Sequence, residues 1–337
     1  MKRRPHGGYP LYPASNHYDP IHRRFFNPEP KRRLQPLDFG GAFKMLSRKG
    51  RFPAQPLPFA KPDFAAFMRQ EGLPENEQKA RFVWFGHSTL LMRVAGLNII
   101  TDPVFGMSAA PNNKMFRRFQ PPPAAPHELP PLDIILYSHN HYDHLEESFV
   151  RSVADSGVHF LVPLGMEVLL RRWGVKAENI SAADWYQSHT VGGVTFTATP
   201  ARHDSSRNLA DHNRMLWAGW AIEGGGQRLY FSGDSSYGSH FADIGRHFGG
   251  FDLAFMENGQ YDRRWPDNHM FPGQTVQAAI DVGARRMMPI HWGAFSLAMH
   301  VRRSIPLAIE RGLPVLTPLI GQVFDADTET ELWWEEV

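Results

Sequence analysis

The densest group of ligand-type side chains lies in residues 138–145, which read Ser-His-Asn-His-Tyr-Asp-His-Leu. Three imidazoles and one carboxylate (His139, His141, Asp143 and His144) fall within six positions. Histidines at alternate positions point to one side of an extended segment, and Asp143 and His144 can approach a second point nearby. Neutral imidazole and carboxylate suit zinc, iron or manganese. The pattern therefore predicts a metal site rather than a cluster of surface histidines.

Three further ligand-type residues share one sequence context, because each follows an apolar stretch. His203 follows residues 194–200, Asp234 follows residues 229–232 and His291 follows residues 287–290. Sites in α/β proteins gather side chains from the ends of several strands, so we expect these residues on one rim with the first cluster. The chain has 17 His and no Cys, which excludes thiolate metal sites, cysteine nucleophiles and disulfides.

Apolar strand-like runs alternate with helical patterns from residue 81 onward. Most predicted helices directly follow a strand, which indicates helices layered on sheets in a mixed α/β sandwich. The predicted strands are residues 81–84, 90–94, 98–101, 133–138, 160–162, 194–199, 215–222, 228–232, 253–256 and 286–290. The predicted helices are residues 145–153, 166–173, 240–247, 275–282 and 305–311, with short ones at 39–46 and 63–70. Two Gly-containing turns predict the hairpins 90–101 and 215–232.

The first 60 residues differ from the rest in charge and in proline content. They hold 10 of the 28 prolines and 12 Lys and Arg against 3 Asp and Glu. We expect a Pro-rich, basic extension over residues 1–80, packed on the core through aromatic residues such as Phe25, Phe26 and Phe52. The basic charge fits either a solvated arm or peripheral contact with an anionic membrane. We see no signal peptide and no transmembrane run, so we expect a cytoplasmic protein.

The motif His-x-His-x-Asp-His and the later His203, Asp234 and His291 resemble the metallo-β-lactamase superfamily. Within it, the chain is similar to the N-acylphosphatidylethanolamine-hydrolysing phospholipase D group and its bacterial relatives. The resemblance covers roughly residues 80 to 300 and includes residues 84–89, 101–105, 129–133, 162–165, 231–237, 244–249 and 290–293. It implies an αββα sandwich for a hydrolase domain at residues 81–337, with two divalent ions at one edge. These ions are zinc in most members, with manganese or iron as alternatives.

The resemblance also implies how the ligands divide between the two ions. His139, His141 and His203 would hold the first ion, Asp143, His144 and His291 the second, and Asp234 would bridge them. Seven N and O ligands suit two four- to five-coordinate ions that share a carboxylate and a hydroxide. A metal-bridging hydroxide would then be the nucleophile, and Asp143 and Asp234 would belong to both the metal site and the catalytic group.

Four residues near these ligands are candidates for supporting roles. His87 lies in a Gly-His-Ser turn, where we expect it beside the ligands rather than in plain turn packing. Asp102 either hydrogen-bonds the outer nitrogen of a ligand histidine or forms an Asx-type turn before Pro103. His269 has a counterpart in the related phospholipases, which implies a contact to substrate phosphate or a proton donor, and the alternative is a simple loop histidine. Glu257 departs from those relatives, and a carboxylate close to the metals would disfavour an anionic phosphate.

The sequence leaves the substrate open. The leading interpretation is a phosphodiesterase acting on a small-molecule or lipid diester, and the alternative is a lactone or cyclic-ester hydrolase. A catalytically silent metal-binding module is a third reading, which the complete ligand set disfavours. Nucleic acid is not an expected substrate, and the oligomeric state is not predicted. Aromatic segments 116–119, 217–220 and 292–299 fit either an acyl channel or the core, and Arg117, Arg118, Arg263 and Arg264 are candidate phosphate contacts.

Overall fold

Two β-sheets lie face to face at the centre of the molecule, a computed structural model. It describes residues 9–29, 53, 55–69, 72, 74, 78–111, 116–208, 210–262, 265–295 and 304–333. The strands are β1 (Tyr18–Asp19), β2 (Arg24–Phe25), β3 (Arg81–Trp84), β4 (Leu90–Val94), β5 (Leu97–Thr101), β6 (Ile134–Leu136), β7 (His159–Pro163), β8 (Ile180–Ala183), β9 (Ser188–Val191), β10 (Val194–Thr199), β11 (Gly219–Gly224), β12 (Gln227–Phe231), β13 (Leu253–Glu257), β14 (Met287–Ile290) and β15 (Val323–Asp325).

The described strands form two mixed sheets and one short hairpin. The first sheet has the order β15-β3-β4-β5-β6-β7-β8, and the second has the order β14-β13-β12-β11-β10-β9. Strands β5 to β8 are parallel to one another, as are β12 to β14, while the remaining neighbours are antiparallel. Parallel neighbours end at the same edge of a sheet, so residues that follow them meet there.

Helices cover the outer face of each sheet. The helices are α1 (Phe64–Met68), α2 (Glu147–Val153), α3 (Glu167–Arg172), α4 (His240–Phe248), α5 (Pro272–Asp281) and α6 (Ser304–Glu310). Side chains of α1 to α3, such as Phe67 and Phe149, pack on the outer face of the first sheet. Side chains of α4 to α6, such as Phe241 and Val276, pack on the outer face of the second sheet. The layers therefore follow the predicted αββα order.

The inner faces of the sheets share one hydrophobic core. Phe82 and Trp84 of the first sheet lie in the same buried cluster as Phe196 and Phe231 of the second. Tyr18 and Phe25, from the hairpin β1–β2, belong to this cluster as well. The expected anchoring of the N-terminal extension is therefore present at Phe25, whereas Phe26 is exposed and Phe52 lies outside the described residues.

Most predicted elements are present with small shifts at their ends. The predicted strand 215–222 begins only at Gly219, because Leu216 and Ala218 donate backbone hydrogen bonds to Leu164 and Ser138 instead of to a neighbouring strand. Five strands were not predicted: β1, β2, β8, β9 and β15. They are short or half-exposed, so their apolar pattern is weak. The helix predicted at residues 39–46 lies outside the described residues.

None of the helices within the described part of the chain is long and apolar enough to cross a bilayer.

Candidate metal centre

The predicted ligands meet at one edge of the sandwich, where several strands end. His139 lies three residues after β6, His203 four residues after β10, Asp234 three residues after β12 and His291 directly after β14. His87 and Asp102 follow β3 and β5 at the same edge. The structure therefore brings all seven predicted ligands together, as the strand-end argument required.

Three imidazole nitrogens form the first donor cluster. His139 Nε2 lies 2.9 Å from His141 Nδ1, which lies 3.2 Å from His203 Nε2. Asp234 Oδ2 is 3.8 Å from His139 Nε2 and 3.7 Å from His203 Nε2. Donors about 2.0–2.1 Å from a tetrahedral zinc ion are separated by about 3.3 Å, so this spacing fits one ion.

The second donor cluster combines two imidazoles with two carboxylates. Asp143 Oδ2 lies 3.5 Å from both His144 Nε2 and His291 Nε2. Asp234 Oδ2 lies 3.2 Å from His144 Nε2 and 3.1 Å from His291 Nε2. One oxygen of Asp234 therefore faces both clusters, which is the position of a bridging ligand.

Two of these buried donor atoms make no well-aligned hydrogen bond within the described part of the chain. They are His144 Nε2 and His291 Nε2, which reach only the carboxylate oxygens of Asp143 and Asp234 at 3.1–3.5 Å. Buried polar atoms are rarely left without a partner, because the lost hydration is costly. A divalent cation would satisfy these atoms, so the residues present fit the metal that the sequence predicts.

The hydrogen bonds behind the histidines select which ring nitrogen is left for a metal. Asp102 Oδ2 accepts from His144 Nδ1 at 2.7 Å and from Ser138 Oγ at 2.5 Å. Because the Ser138 hydroxyl donates to Asp102, its oxygen is free to accept from His139 Nδ1 at 2.9 Å. His203 Nδ1 lies 3.1 Å from the carbonyl oxygen of Asn268. Nδ1 of His144, His139 and His203 is occupied by these contacts, so Nε2 of each ring is the nitrogen left to bind a metal. Outer partners orient metal-binding histidines in the same way in other metal sites.

His141 has the opposite orientation, with Nδ1 turned toward the first cluster. Its Nε2 lies 3.4 Å from Asp204 Oδ1. Sequence reasoning predicted the contact of Asp102 but missed Ser138, Asp204 and Asn268. Two of these residues could have been found from their position in the chain. Ser138 directly precedes His139, and Asp204 directly follows His203.

The histidines of the two clusters differ in the direction in which their surroundings shift the pKa. Burial, together with the neighbouring rings of His144, His141 and His203, lowers the pKa of His139 well below its ordinary value, so this ring is neutral. Burial opposes protonation of His291, but Asp234 and Asp143 raise its pKa to about 9. Burial likewise opposes protonation of His144, yet Asp234, Asp143 and Asp102 raise its pKa well above normal. The carboxylates around these two rings favour positive charge at this position, and a bound cation would supply it.

Three non-glycine residues around the clusters have left-handed backbone conformations. The φ angles are 56° at His87, 37° at Asp102 and 68° at His291. Such conformations are strained for L residues and concentrate at functional sites. Backbone hydrogen bonds from His87 N to Trp292 O (2.5 Å) and from His291 N to His87 O (2.9 Å) hold two of them in place.

Gly233 allows Asp234 to approach the first histidine motif. Its φ is 55°, and a Cβ at this position would lie 2.7 Å from Ser138 Cβ and 2.8 Å from the carbonyl oxygen of Ala218. Both distances are shorter than real contacts allow, so a larger residue would push Asp234 away from His139.

His87, predicted beside the ligands, is buried behind Asp143. Its Nε2 lies 2.9 Å from Asp143 Oδ2, and its ring packs against that of His291 with centroids 4.0 Å apart and planes tilted by 37°. Burial and the neighbouring His291 lower the pKa of His87 to about 3, so the ring is neutral and can donate Nε2–H to the carboxylate. This geometry places His87 as a support for Asp143.

Glu257 is the last residue of β13 and lies fully buried beside the second cluster. Its Oε1 is 3.1 Å from His269 Nδ1 and 3.9 Å from His291 Nδ1, and its Oε2 accepts from Met270 N at 3.1 Å. The carboxylate therefore faces the outer edge of His291, whereas Nε2 of that ring faces Asp143 and Asp234. Its expected conflict with an anionic substrate is weakened, because the carboxylate is engaged by these donors.

Some of the expected substrate contacts are part of the core. Trp217 and Trp220 are fully buried between the sheets and donate to the carbonyl oxygens of Ala201 and Tyr137, so they do not line an acyl channel. Arg118 is also buried, and its guanidinium donates to the carbonyl oxygens of Val104 and Gly106. Its predicted role as a phosphate contact is therefore wrong. Arg117 is exposed, while Arg263, Arg264 and residues 296–299 lie outside the described residues.

The role of Asp102 can be tested with an isosteric change. Asp102 accepts three hydrogen bonds, from His144 Nδ1, Ser138 N and Ser138 Oγ. In Asp102→Asn one acceptor oxygen becomes an NH₂ donor that faces other donors, so His144 loses its orientation. We expect zinc affinity to fall about 10–100-fold, as for other outer partners of metal ligands. Competition with a chelator measures this.

Asp133→Asn serves as the control for that variant, because Asp133 is exposed at the opposite end of β6 and bonds Asn98 N. It should bind zinc like the wild type. Unchanged zinc affinity in Asp102→Asn would show that Asp102 does not orient His144.

With this geometry established, the chain can be compared with known proteins. A model of the beta-lactamase superfamily domain matches residues 97–292, more than half of the chain. The chain belongs to the metallo-β-lactamase superfamily. It is a metal-dependent hydrolase of this superfamily, and its donor clusters are groups that could hold metal ions.

Individual relatives narrow the resemblance within the superfamily. An uncharacterized protein of Mycobacterium tuberculosis (strain ATCC 25618 / H37Rv) is 38% identical over 294 residues, which cover 84% of this chain and 77% of that protein. The N-acyl-phosphatidylethanolamine-hydrolyzing phospholipase D 1 of Caenorhabditis elegans is 35% identical over 227 residues, 64% of each chain. The predicted similarity to the phospholipase D group is therefore confirmed.

The solved structure of an isothiocyanate hydrolase from Delia radicum gut bacteria has the same fold. It has a TM-score of 0.60 at 16% sequence identity, and the match covers 73% of this chain and 99% of that one. At this identity the likeness confirms the metallo-β-lactamase fold and carries no information on substrate.

Proposed function

We propose that this chain is a binuclear metal-dependent phosphodiesterase of the N-acylphosphatidylethanolamine phospholipase D type. The observation that supports it most directly is the position of Asp234, whose Oδ2 lies within 3.8 Å of donor atoms in both clusters. A shared carboxylate between two complete donor sets is what a two-ion site requires. The identity of 35% with the Caenorhabditis elegans phospholipase D supports the substrate class.

In the proposed centre, His139, His141 and His203 hold one ion, and Asp143, His144 and His291 hold the other, with Asp234 between them. We propose zinc for both, because imidazole and carboxylate donors suit it, with manganese or iron as alternatives. Two such ions, when bound, lower the pKa of a coordinated water and neutralise the charge of phosphoryl oxygens.

The residues around the ligands would orient them and handle a proton. Asp102 holds His144 Nδ1, and His87 holds Asp143, so neither ligand needs to reorganise when the site is loaded. Glu257 holds Nδ1 of His269, which leaves Nε2 of that ring for a substrate oxygen. His269 is about 14% exposed and is the proposed proton donor to the leaving group.

The N-terminal extension supports a lipid substrate, since its charge would attract an anionic surface. Residues 1–60 carry 12 Lys and Arg against 3 Asp and Glu. In the hairpin β1–β2, Ile21 is 85% exposed beside the exposed Arg24. Each basic residue near such a surface adds about 1 kcal/mol of attraction. We propose peripheral contact between this extension and an anionic membrane.

Lactone or cyclic-ester hydrolysis is a second candidate function. One observation favours it: Arg118, an expected phosphate contact, is engaged by Val104 and Gly106 in the core. A carbonyl substrate needs no dedicated cation beside the metal ions, because its charge develops on one oxygen only.

A substrate screen of zinc-loaded protein tests the proposal. We expect turnover of bis(p-nitrophenyl) phosphate and of N-acylphosphatidylethanolamine, lost on chelation and restored by zinc. Lipid turnover should be faster on anionic than on neutral vesicles and should weaken with salt, because salt screens the basic extension. Lactones measured in parallel serve as the comparison.

Two results of the screen would contradict the proposal in different ways. Lactone opening without diester hydrolysis would support the second candidate. Protein that binds two zinc ions and turns over neither substrate class would support the silent metal-binding module.

A further inference from the structure

The N-terminal segment 9–29 contacts the loop that carries His203. Asn27 makes two hydrogen bonds to the backbone of this histidine, because its Nδ2 donates to His203 O at 2.8 Å and its Oδ1 accepts from His203 N at 3.1 Å. A carboxamide that pairs with both backbone groups of one residue acts as a strand-like partner and fixes the backbone position of that residue.

A second contact ties the same segment to the same loop. Phe25 N donates to Asn213 O at 2.7 Å. Asn213 in turn donates its backbone N–H to Ser205 O at 2.7 Å and accepts from Ser205 N through Oδ1 at 3.2 Å. The loop around His203 is therefore also held at Ser205, through Asn213, which the segment contacts.

The segment also reaches the loop that follows Asp234. Glu29 Oε1 accepts from Ser239 Oγ at 2.7 Å and from Ser239 N at 3.3 Å. Its Oε2 lies 3.9 Å from Arg202 Nε, next to His203 in the chain. The segment thus connects the chain near His203 with the chain near Asp234, which come from two different strand ends.

The anchor of this segment lies in the core. Tyr18 and Phe25 are buried in the cluster between the sheets. Since the anchored end is fixed, Asn27 holds His203 against a rigid support rather than against a loose tail.

We propose that Asn27 is a positioning residue of the metal centre and that residues 25–29, which make these contacts, are an integral part of this centre. This inference rests on the proposed function, because it takes His203 as a ligand of the first ion. Nothing in the sequence pattern around Asn27 indicated it. The extension, expected to be a basic surface arm, then has a second role in setting the geometry of the first donor cluster.

The experiment compares full-length wild type, Asn27→Ala and Tyr12→Phe. Zinc affinity is measured by chelator competition, the visible spectrum is recorded after Co²⁺ loading, and the melting temperature is recorded without metal. Tyr12→Phe is the matched control, because it removes a hydrogen bond of the same segment without touching His203. We expect Asn27→Ala to weaken binding of one of the two zinc ions about 10–100-fold and to change the Co²⁺ spectrum. Tyr12→Phe should affect only the melting temperature.

If Asn27→Ala does not fold, Asn27→Asp replaces it, since the acid keeps the acceptor for His203 N and loses the donor to His203 O. Unchanged zinc affinity and an unchanged Co²⁺ spectrum would overturn the inference alone. Equal losses of affinity in Asn27→Ala and Tyr12→Phe would also overturn it, because they would indicate general loosening. Wild-type protein that binds fewer than two ions would overturn the proposed function and this inference with it.

Discussion

Asp234→Ala is expected to lose both metal ions and nearly all turnover. Asp234 Oδ2 is the oxygen nearest to both donor clusters, at 3.1 Å from His291 Nε2 and 3.7 Å from His203 Nε2. Its removal takes one donor from each ion and also the negative charge between two cations. We expect less than about half an ion per chain and a fall in turnover of at least about a thousand-fold, beyond the 10–100-fold effect of outer partners. Elemental analysis of zinc-loaded protein and a diester assay measure this.

The control for this variant is Asp252→Asn, which changes a carboxylate at the opposite end of the second sheet, where it bonds Arg228 N and Arg285. It should retain both ions. Asp234→Asn, closer in shape, covers the case in which the alanine variant does not fold. Two ions retained in a folded Asp234 variant would contradict the bridging position.

The ligand cluster could be predicted because its signal is local in sequence. His139, His141, Asp143 and His144 lie within six positions, and the other three predicted ligands each follow an apolar strand. Strand ends of parallel neighbours meet at one edge, so the meeting of the ligands followed from the strand pattern alone. The layered fold followed from the same alternation of strands and helices.

The supporting contacts could not be predicted, because they join residues far apart in the chain. Asn27 and His203 are separated by 176 positions, and neither hydrogen bond leaves a trace in local composition. For Arg118 the sequence predicted a contact that the structure does not have. Two adjacent arginines indicated a surface phosphate contact, but the guanidinium of Arg118 is buried among backbone carbonyls. Such outcomes depend on tertiary packing, which residue type alone does not specify.

The hydrophobic character of the aromatic segments did not show whether they belong to the core or to a binding surface. Trp217 and Trp220 fitted an acyl channel as well as a core in the sequence, and the structure places both between the sheets. Their indole nitrogens donate to Ala201 O and Tyr137 O, which each lie two residues before a predicted ligand, His203 or His139. These tryptophans therefore support the strand ends that carry the ligands.

Replacing one histidine from each cluster should separate the two ions. His203→Ala removes a donor of the first cluster, and His291→Ala removes a donor of the second, while Asp234 remains in both. We expect about one zinc ion per chain to bind with near wild-type affinity in each variant and the other to weaken strongly. Diester turnover should fall at least about a hundred-fold in both, because the proposed reaction needs two ions. Zinc titration with a competing chelator resolves the two affinities.

Co²⁺ loading shows which cluster has been changed. The first cluster offers three imidazoles and the second two imidazoles with Asp143, so the single ion left in each variant should give a different visible spectrum. His159→Ala is the control, since it removes an imidazole that contacts Ser181 at the far end of β7. It should bind two ions. If His203→Ala and His291→Ala retain ions with the same spectrum, the division of the seven ligands between two clusters is wrong, because the remaining donor sets would then be equivalent.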